Sequence, residues 1–183
     1  MQIVEHRLDV ATQVPAANFD ERPENEISLI VVHGISLPAG HFGGDFISRL
    51  FSNRLDVTAH ADFRGLGELR VSSHLLIRRD GTIYQYVPFD KRAWHAGVSS
   101  YAGREACNDF SVGIELEGTD QNRYREAQYR ALAKVCCCLI ENYGIPATNI
   151  AGHRDIAPGR KTDPGEAFDW AHLFQLINDE VTS

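Results

Sequence analysis

The order of elements along this chain predicts a mixed α/β fold, a central sheet packed by helices. Three observations carry that prediction. Ile27 to His33 (ISLIVVH) is a short, nearly continuous apolar run, suited to a buried central strand. Val71 to Ile77 and Thr82 to Val87 are β-rich runs around Arg79-Asp80-Gly81, and Asp-Gly between such runs is a strong hairpin signal. Arg125 to Tyr143 repeats Leu132, Val135, Cys136, Leu139, Ile140 and Tyr143 at helical spacing, with Gly144 placed as a C-cap and Pro146 blocking continuation. Strands followed by a long helix bury their apolar faces best as a sheet covered by helices.

The remaining elements follow in order. Residues 1–26, and 11–26 most plainly, read as an irregular N-terminal lead-in to a single domain spanning 1–183. After His33, GISLPAGHFGG is loop by its Gly and Pro content. Asp45 to Phe51 is expected as a short helix with Phe46, Ile47, Leu50 and Phe51 on one side, and residues 52–70 as irregular chain. Pro88 to Asn108 is a long loop rich in Gly, Ser and aromatics, a composition that suggests function more than packing. Ser111 to Leu116 is a strand, Ile150 to Gly152 a brief strand or turn, and Asp155 to Glu166 loop. Asp169 is placed to cap a final helix carrying Trp170, Leu173, Phe174 and Ile177.

Composition removes several function classes. With 43% apolar and 23% charged residues in 183, the chain has the profile of a soluble globular protein with a real core. No apolar run approaches the roughly 20 residues that span a bilayer. The first residues have neither a basic n-region nor an apolar h-region, which makes the cytoplasm the expected compartment. A net charge of −7 disfavours binding to nucleic acid. Of the four cysteines, Cys136, Cys137 and Cys138 are consecutive, and neighbouring helix positions point about 100° apart, so they cannot chelate one ion together. They read as small core-facing residues of a helix in a reducing compartment.

Among the eight histidines, three stand out by position. His33 ends the first buried strand, His153 follows Ile150-Ala151-Gly152, and His95 lies in the long loop beside Trp94. Strand ends fix a backbone while exposing its side chains to a cleft, so His33 and His153 are candidates to converge. Two imidazoles and one carboxylate form a normal catalytic zinc set. Asp155 and Asp163 are the nearby acids. Asp155 is close enough to His153 to be a turn residue, and the Pro-Gly after Asp163 favours Asp163 as the ligand. Glu115 lies between Ile114 and Leu116 in an expected central strand. It either faces water at a sheet edge or faces the cleft, where it would take a proton from water. Lys161, two residues before Asp163, is either a solvated lysine or a fixed cation for a developing oxyanion.

Taken with VVHGISLPAGHFGG, VSSHLLIRRDGTIYQYVPFDKRAWHAGVSSYAGRE, CNDFSVGIELEGTD and AGHRDIAPGRKTDPGEAFDW, these residues give the chain a resemblance. It resembles the zinc-dependent N-acetylmuramoyl-L-alanine amidases of the peptidoglycan-recognition type, from Ile30 to about Trp170. The resemblance implies a central mixed β-sheet flanked by α-helices. It implies one zinc held by His33, His153 and Asp163, with Glu115 acting on the water and Lys161 stabilising the transition state. It places Trp94 and His95 near the substrate and makes Arg70 a carboxylate contact. The implied reaction cuts the bond between (1,6-anhydro-)N-acetylmuramic acid and L-alanine in soluble muropeptides of peptidoglycan recycling, with no obligatory protein partner and no membrane. Two residues depart from the family's usual pattern: Gly34 where Asn often follows the metal histidine, and Ala106 where Arg is often found. A muropeptide-binding module without catalysis and a wall-lytic amidase acting on polymer are the rival readings.

Overall fold

The computed structural model describes residues 1–182. Its centre is built from β5 (Leu29–Ile35) and β11 (Ser111–Glu117), which run parallel with Leu29 opposite Ser111 and His33 opposite Glu115. β12 (Ile150–Gly152) joins the free side of β5 in parallel, and β6 (Leu75–Ile77) joins the free side of β11 in parallel. β7 (Ile83–Gln85) turns back antiparallel to β6, with Ile77 opposite Ile83, and β3 (Thr12–Gln13) closes the edge. Among the described residues the sheet therefore has the order β12-β5-β11-β6-β7-β3 and is mixed, as the resemblance implied. The turn between β6 and β7 is the Asp-Gly hairpin: Gly81 has φ +88°, and Arg78 N–H donates to the Thr82 carbonyl at 2.9 Å.

Two helices cover one face. α2 (Glu126–Tyr143) ends at Gly144, whose φ of +68° is the left-handed C-cap conformation. α4 (Trp170–Val181) starts at Asp169, whose side chain accepts from His172 N–H at 2.9 Å. Their apolar stripes, including Leu132, Val135, Cys136, Leu173 and Ile177, pack with Ile30, Val32, Val112, Ile114 and Leu116. Cys136, Cys137 and Cys138 are buried free thiols in this layer. On the other face, α1 (Phe46–Phe51) packs Ile47, Leu50 and Phe51 with Leu76 and Tyr86, while Leu29 and Val31 pack with Ala96, Cys107, Phe110 and Ile156.

Several expectations need correction. The segment 1–26 is not an irregular lead-in. β1 (Ile3–Val4) and β2 (Arg7–Leu8) form a hairpin, β3 extends the main sheet, and β4 (Phe19–Glu21) pairs with β8 (Lys91–Ala93). Ion pairs secure that last contact, Arg92 to Asp20 at 2.6 Å and Lys91 to Glu21 at 2.9 Å. The supposed loop 88–108 likewise holds β8, a small hairpin of β9 (Ser100–Tyr101) and β10 (Arg104–Glu105), and a turn of 3-10 helix at Cys107–Asp109. Polar sequences form these strands because long-range partners supply the hydrogen bonds that local pattern does not announce. Val71–His74 lies outside β6, because Ser72 N–H bonds the Trp94 carbonyl and Ser73 Oγ the Gly113 carbonyl. The expected loop 155–166 begins inside a single helical turn, α3 (His153–Ile156).

Candidate metal centre

The two-residue period of a strand assigns the faces of the central pair. Ile30, Val32, Val112, Ile114 and Leu116 point to the helices, so His33, Ser111, Gly113 and Glu115 share the opposite face. Register puts Glu115 beside His33. β12 carries the chain to the same place and hands over to α3, whose first residue is His153. Asp155 serves this turn, accepting the Gly152 N–H at 2.8 Å, and is thereby separated from Asp163 in role.

Three donor atoms converge. His33 Nδ1 is 3.0 Å from His153 Nδ1, and Asp163 Oδ2 is 3.2 Å from the first and 3.1 Å from the second. Both histidines are buried, and Asp163 is half-buried in the loop after α3. Burial holds the His33 ring in its neutral form, its pKa lowered to about 4 against the opposing pull of Asp163. Burial works to raise the Asp163 carboxyl, but the two histidines against it outweigh that and leave the group below the ordinary carboxylate range. Neutral imidazoles and an ionised carboxylate are the states that ligate a divalent metal. Two nitrogens and one oxygen within 4.8 Å of one another match the two-His, one-carboxylate set of catalytic zinc, which leaves a further position for water.

Glu115 is buried, and its Oε2 has no hydrogen-bond partner among the described residues. The water-facing alternative is therefore excluded by position. Burial pushes its carboxyl well above the usual range, the Asp163 charge adds to the rise, and Lys161 opposes it. A buried, unpaired carboxyl beside a metal-binding group is costly unless something else approaches it. Lys161 is exposed and sits near enough to act electrostatically on both Glu115 and His33.

The other three predicted residues are placed differently. His95 is half-buried and its ring nitrogens face other side chains. Its Nδ1 lies 2.9 Å from His33 Nε2 and its Nε2 lies 3.1 Å from Ser111 Oγ. Trp94 directs its indole N–H to Asp20 Oδ1 at 3.1 Å. Arg70 is exposed and donates to the carbonyls of Gly67 and Leu69 in its own loop. Sequence reasoning passed over Ala96, whose carbonyl accepts from His153 Nε2 at 3.1 Å, and Arg160, which donates to the same carbonyl at 2.5 Å. It also passed over Gly113, although a glycine inside a buried strand is a recognisable signal of close approach. Two surface clefts lie among residues that neighbour the centre in sequence or contact. One, of about 590 Å³, is lined by Gly97, Ser99, Ala106, Ile156, Pro158 and Arg160. The other, of about 600 Å³, is lined by Gly34, Ser36, Gly40, Gly118, Asp120 and Asn122. No helix of the described residues is long and apolar enough to cross a membrane.

Comparison with known proteins agrees with this geometry. Residues 23–166 match the family model described as N-acetylmuramoyl-L-alanine amidase. The chain is 59% identical over 173 residues to the 1,6-anhydro-N-acetylmuramyl-L-alanine amidase AmpD of Escherichia coli, covering 94% of each chain. It is 58% identical to the AmpD of Citrobacter freundii, covering 97% of this chain and 95% of the other. A crystal structure of a selenomethionine AmpD derivative superposes with a TM-score of 0.95 at 58% identity, covering 97% and 99% of the two chains. The E. coli amidase AmiD, in complex with anhydro-N-acetylmuramic acid-L-Ala-D-gamma-Glu-L-Lys, gives a TM-score of 0.62 at 30% identity, covering 82% of this chain and 57% of the other.

Proposed function

The chain belongs to the N-acetylmuramoyl-L-alanine amidase family, and on that premise we propose that it uses one zinc ion to hydrolyse the amide bond between 1,6-anhydro-N-acetylmuramic acid and L-alanine in soluble muropeptides of peptidoglycan recycling. The observation that carries the reading is the convergence of His33 Nδ1, His153 Nδ1 and Asp163 Oδ2 beside the buried, unpartnered Glu115. The choice of substrate rests on the names of the relatives that share more than nine-tenths of their length with this chain. A soluble fragment also suits the cytoplasmic location expected from the sequence.

His33, His153 and Asp163 are the residues that would hold the metal. When bound, zinc lowers the pKa of water at the site to about 7 and polarises the scissile carbonyl. Glu115 takes one proton as the water oxygen bonds to the carbonyl carbon. Its raised pKa suits it to keep that proton and deliver it to the alanine nitrogen as the C–N bond breaks. Lys161 meets the negative charge that grows on the carbonyl oxygen, an interaction stronger in the transition state than in the ground state. The products are the free sugar and a stem peptide with a new α-amino group. Arg70 has no acidic partner among the described residues and is kept as a carboxylate contact, and Trp94 as part of the wall.

Mass spectrometry of products from an anhydro-muramyl-tripeptide, with and without a chelator, tests this. Release of free anhydro-muramic acid, lost with chelator and restored by zinc, is the expected result. Turnover that ignores the chelator removes the metal from the mechanism. Turnover of intact wall polymer but not of the soluble fragment moves the substrate to the wall-lytic alternative.

A further inference from the structure

The groups around the two histidines settle which ring nitrogens carry protons. The Cys107 carbonyl can only accept, and Ser111 Oγ lies 2.6 Å from it, so the serine hydroxyl donates there. Ser111 Oγ must then accept from His95 Nε2, 3.1 Å away. His95 is left with a bare Nδ1, and that nitrogen, 2.9 Å from His33 Nε2, accepts a proton from it. His33 Nδ1 is therefore the bare nitrogen. The second histidine reaches the same state by a shorter route, since the Ala96 carbonyl, 3.1 Å from His153 Nε2, accepts its N–H. Both lone pairs point at each other and at Asp163.

The two orienting groups are consecutive residues, and one side chain holds both. Asn108 Oδ1 accepts the backbone N–H of His95 at 3.1 Å and that of Ala96 at 2.8 Å. An independent feature of β11 serves the same ring. Gly113 is a glycine inside a fully buried strand, and a Cβ there would overlap the His95 ring. Glycine costs a strand interior stability and is retained where another group must come close. Here that group is the imidazole between His33 and Ser111.

We propose that the dipeptide His95-Ala96 is the positioning element of the metal centre, and that the relay His33–His95–Ser111–Cys107 carbonyl locks His33 with Nδ1 bare and turned to the ion. His95 thereby acts through His33 and not on the substrate. The proposal rests on the reading of His33, His153 and Asp163 as zinc ligands. Outer partners of metal-bound histidines are typically worth about 10–100-fold in metal affinity.

The test has two readouts besides turnover. In the first, nitrogen-15 NMR of the unsubstituted metal-free protein at neutral pH reports imidazole tautomers. His33, His95 and His153 are expected as Nε2–H forms, and a His33 carrying its proton on Nδ1 overturns the relay. The second is zinc affinity by chelator competition in His95→Leu, His95→Asn and Ser111→Ala, with thermal unfolding confirming that each is folded. His95→Leu should bind zinc about 10–100-fold more weakly, and Ser111→Ala should shift the same way by less. His95→Asn places an amide oxygen near the position of Nδ1 and should recover most of the loss. Unchanged affinity in His95→Leu, or an equal loss in His95→Asn and His95→Leu, overturns the proposal. Absence of zinc binding by the unsubstituted protein counts instead against the zinc reading, while the tautomer measurement still decides the relay.

Discussion

Replacing Gly34 with alanine puts a methyl group where the Tyr124 hydroxyl already stands, and the consequence can be worked through. The ideal Cβ overlaps that oxygen, while its next neighbour, Pro164 Cα, is at an ordinary 3.5 Å. Tyr124 is buried and donates to the Pro164 carbonyl at 2.9 Å, one residue beyond the proposed metal ligand Asp163. Relief requires the phenol to move, which loses a hydrogen bond worth about 1 kcal/mol and adds overpacking strain of about 1–3 kcal/mol. Alanine recovers roughly 0.5–1 kcal/mol by restricting the unfolded chain. The net cost is about 1–3 kcal/mol, which for a chain of this length lowers the Tm by roughly 2–12 °C. Tyr124→Phe removes the obstructing oxygen at a cost of about 1 kcal/mol. In that background Gly34→Ala should be close to neutral, so a double-mutant cycle by urea denaturation should show a coupling of about 2 kcal/mol. Equal penalties in the two backgrounds, or a Gly34→Ala variant as stable as the parent, would refute the steric argument.

Other outcomes follow from the centre and its surroundings. His33→Ala, His153→Ala and Asp163→Ala should each purify with little zinc by elemental analysis, and full zinc content in any one removes that residue from the set. Glu115→Gln and Lys161→Ala should keep zinc and still bind muropeptide, with Glu115→Gln slowed about 10²–10⁴-fold. Parental rates in both would return these residues to bystanders. Acid should destabilise the protein through His74, whose pKa is lowered to about 3 by burial and by the Arg22 charge. Its folded pKa lies below the unfolded value of about 6.5, so the unfolded state takes the proton first and stability falls as pH drops from about 6.5 towards 3, by up to roughly 1.4 kcal/mol per pH unit. Urea denaturation between pH 7 and pH 5 should show His74→Gln with a shallower fall than the parent, and parallel curves would contradict this.

Local pattern alone determined the strongly periodic parts. The run before His33, the Asp-Gly hairpin, the capped helices and the buried cysteines all follow from burial and turn chemistry acting over a few residues. It also pointed to His33, His153 and, by the Pro-Gly that follows it, Asp163 over Asp155 as a zinc set, and the resemblance implied the same three residues. Tertiary structure decided what depends on partners far along the chain. The N-terminal segment became strands because Tyr84, Gln85 and Lys91 to Ala93 offered their free edges. Glu115 turned inward because parallel register with β5 sets it beside His33, a fact that alternation within its own strand cannot supply. His95 came to lie beside His33, since the ring lodges where Gly113 lacks a side chain and Ser111 presents its hydroxyl. Residues 33, 95, 111 and 153 share no spacing that a reader of sequence could use. The sheet joins 33 and 111, and it carries the loop of 95 and the helical turn of 153 against them, because its hydrogen bonds join strands without regard to how much chain lies between them.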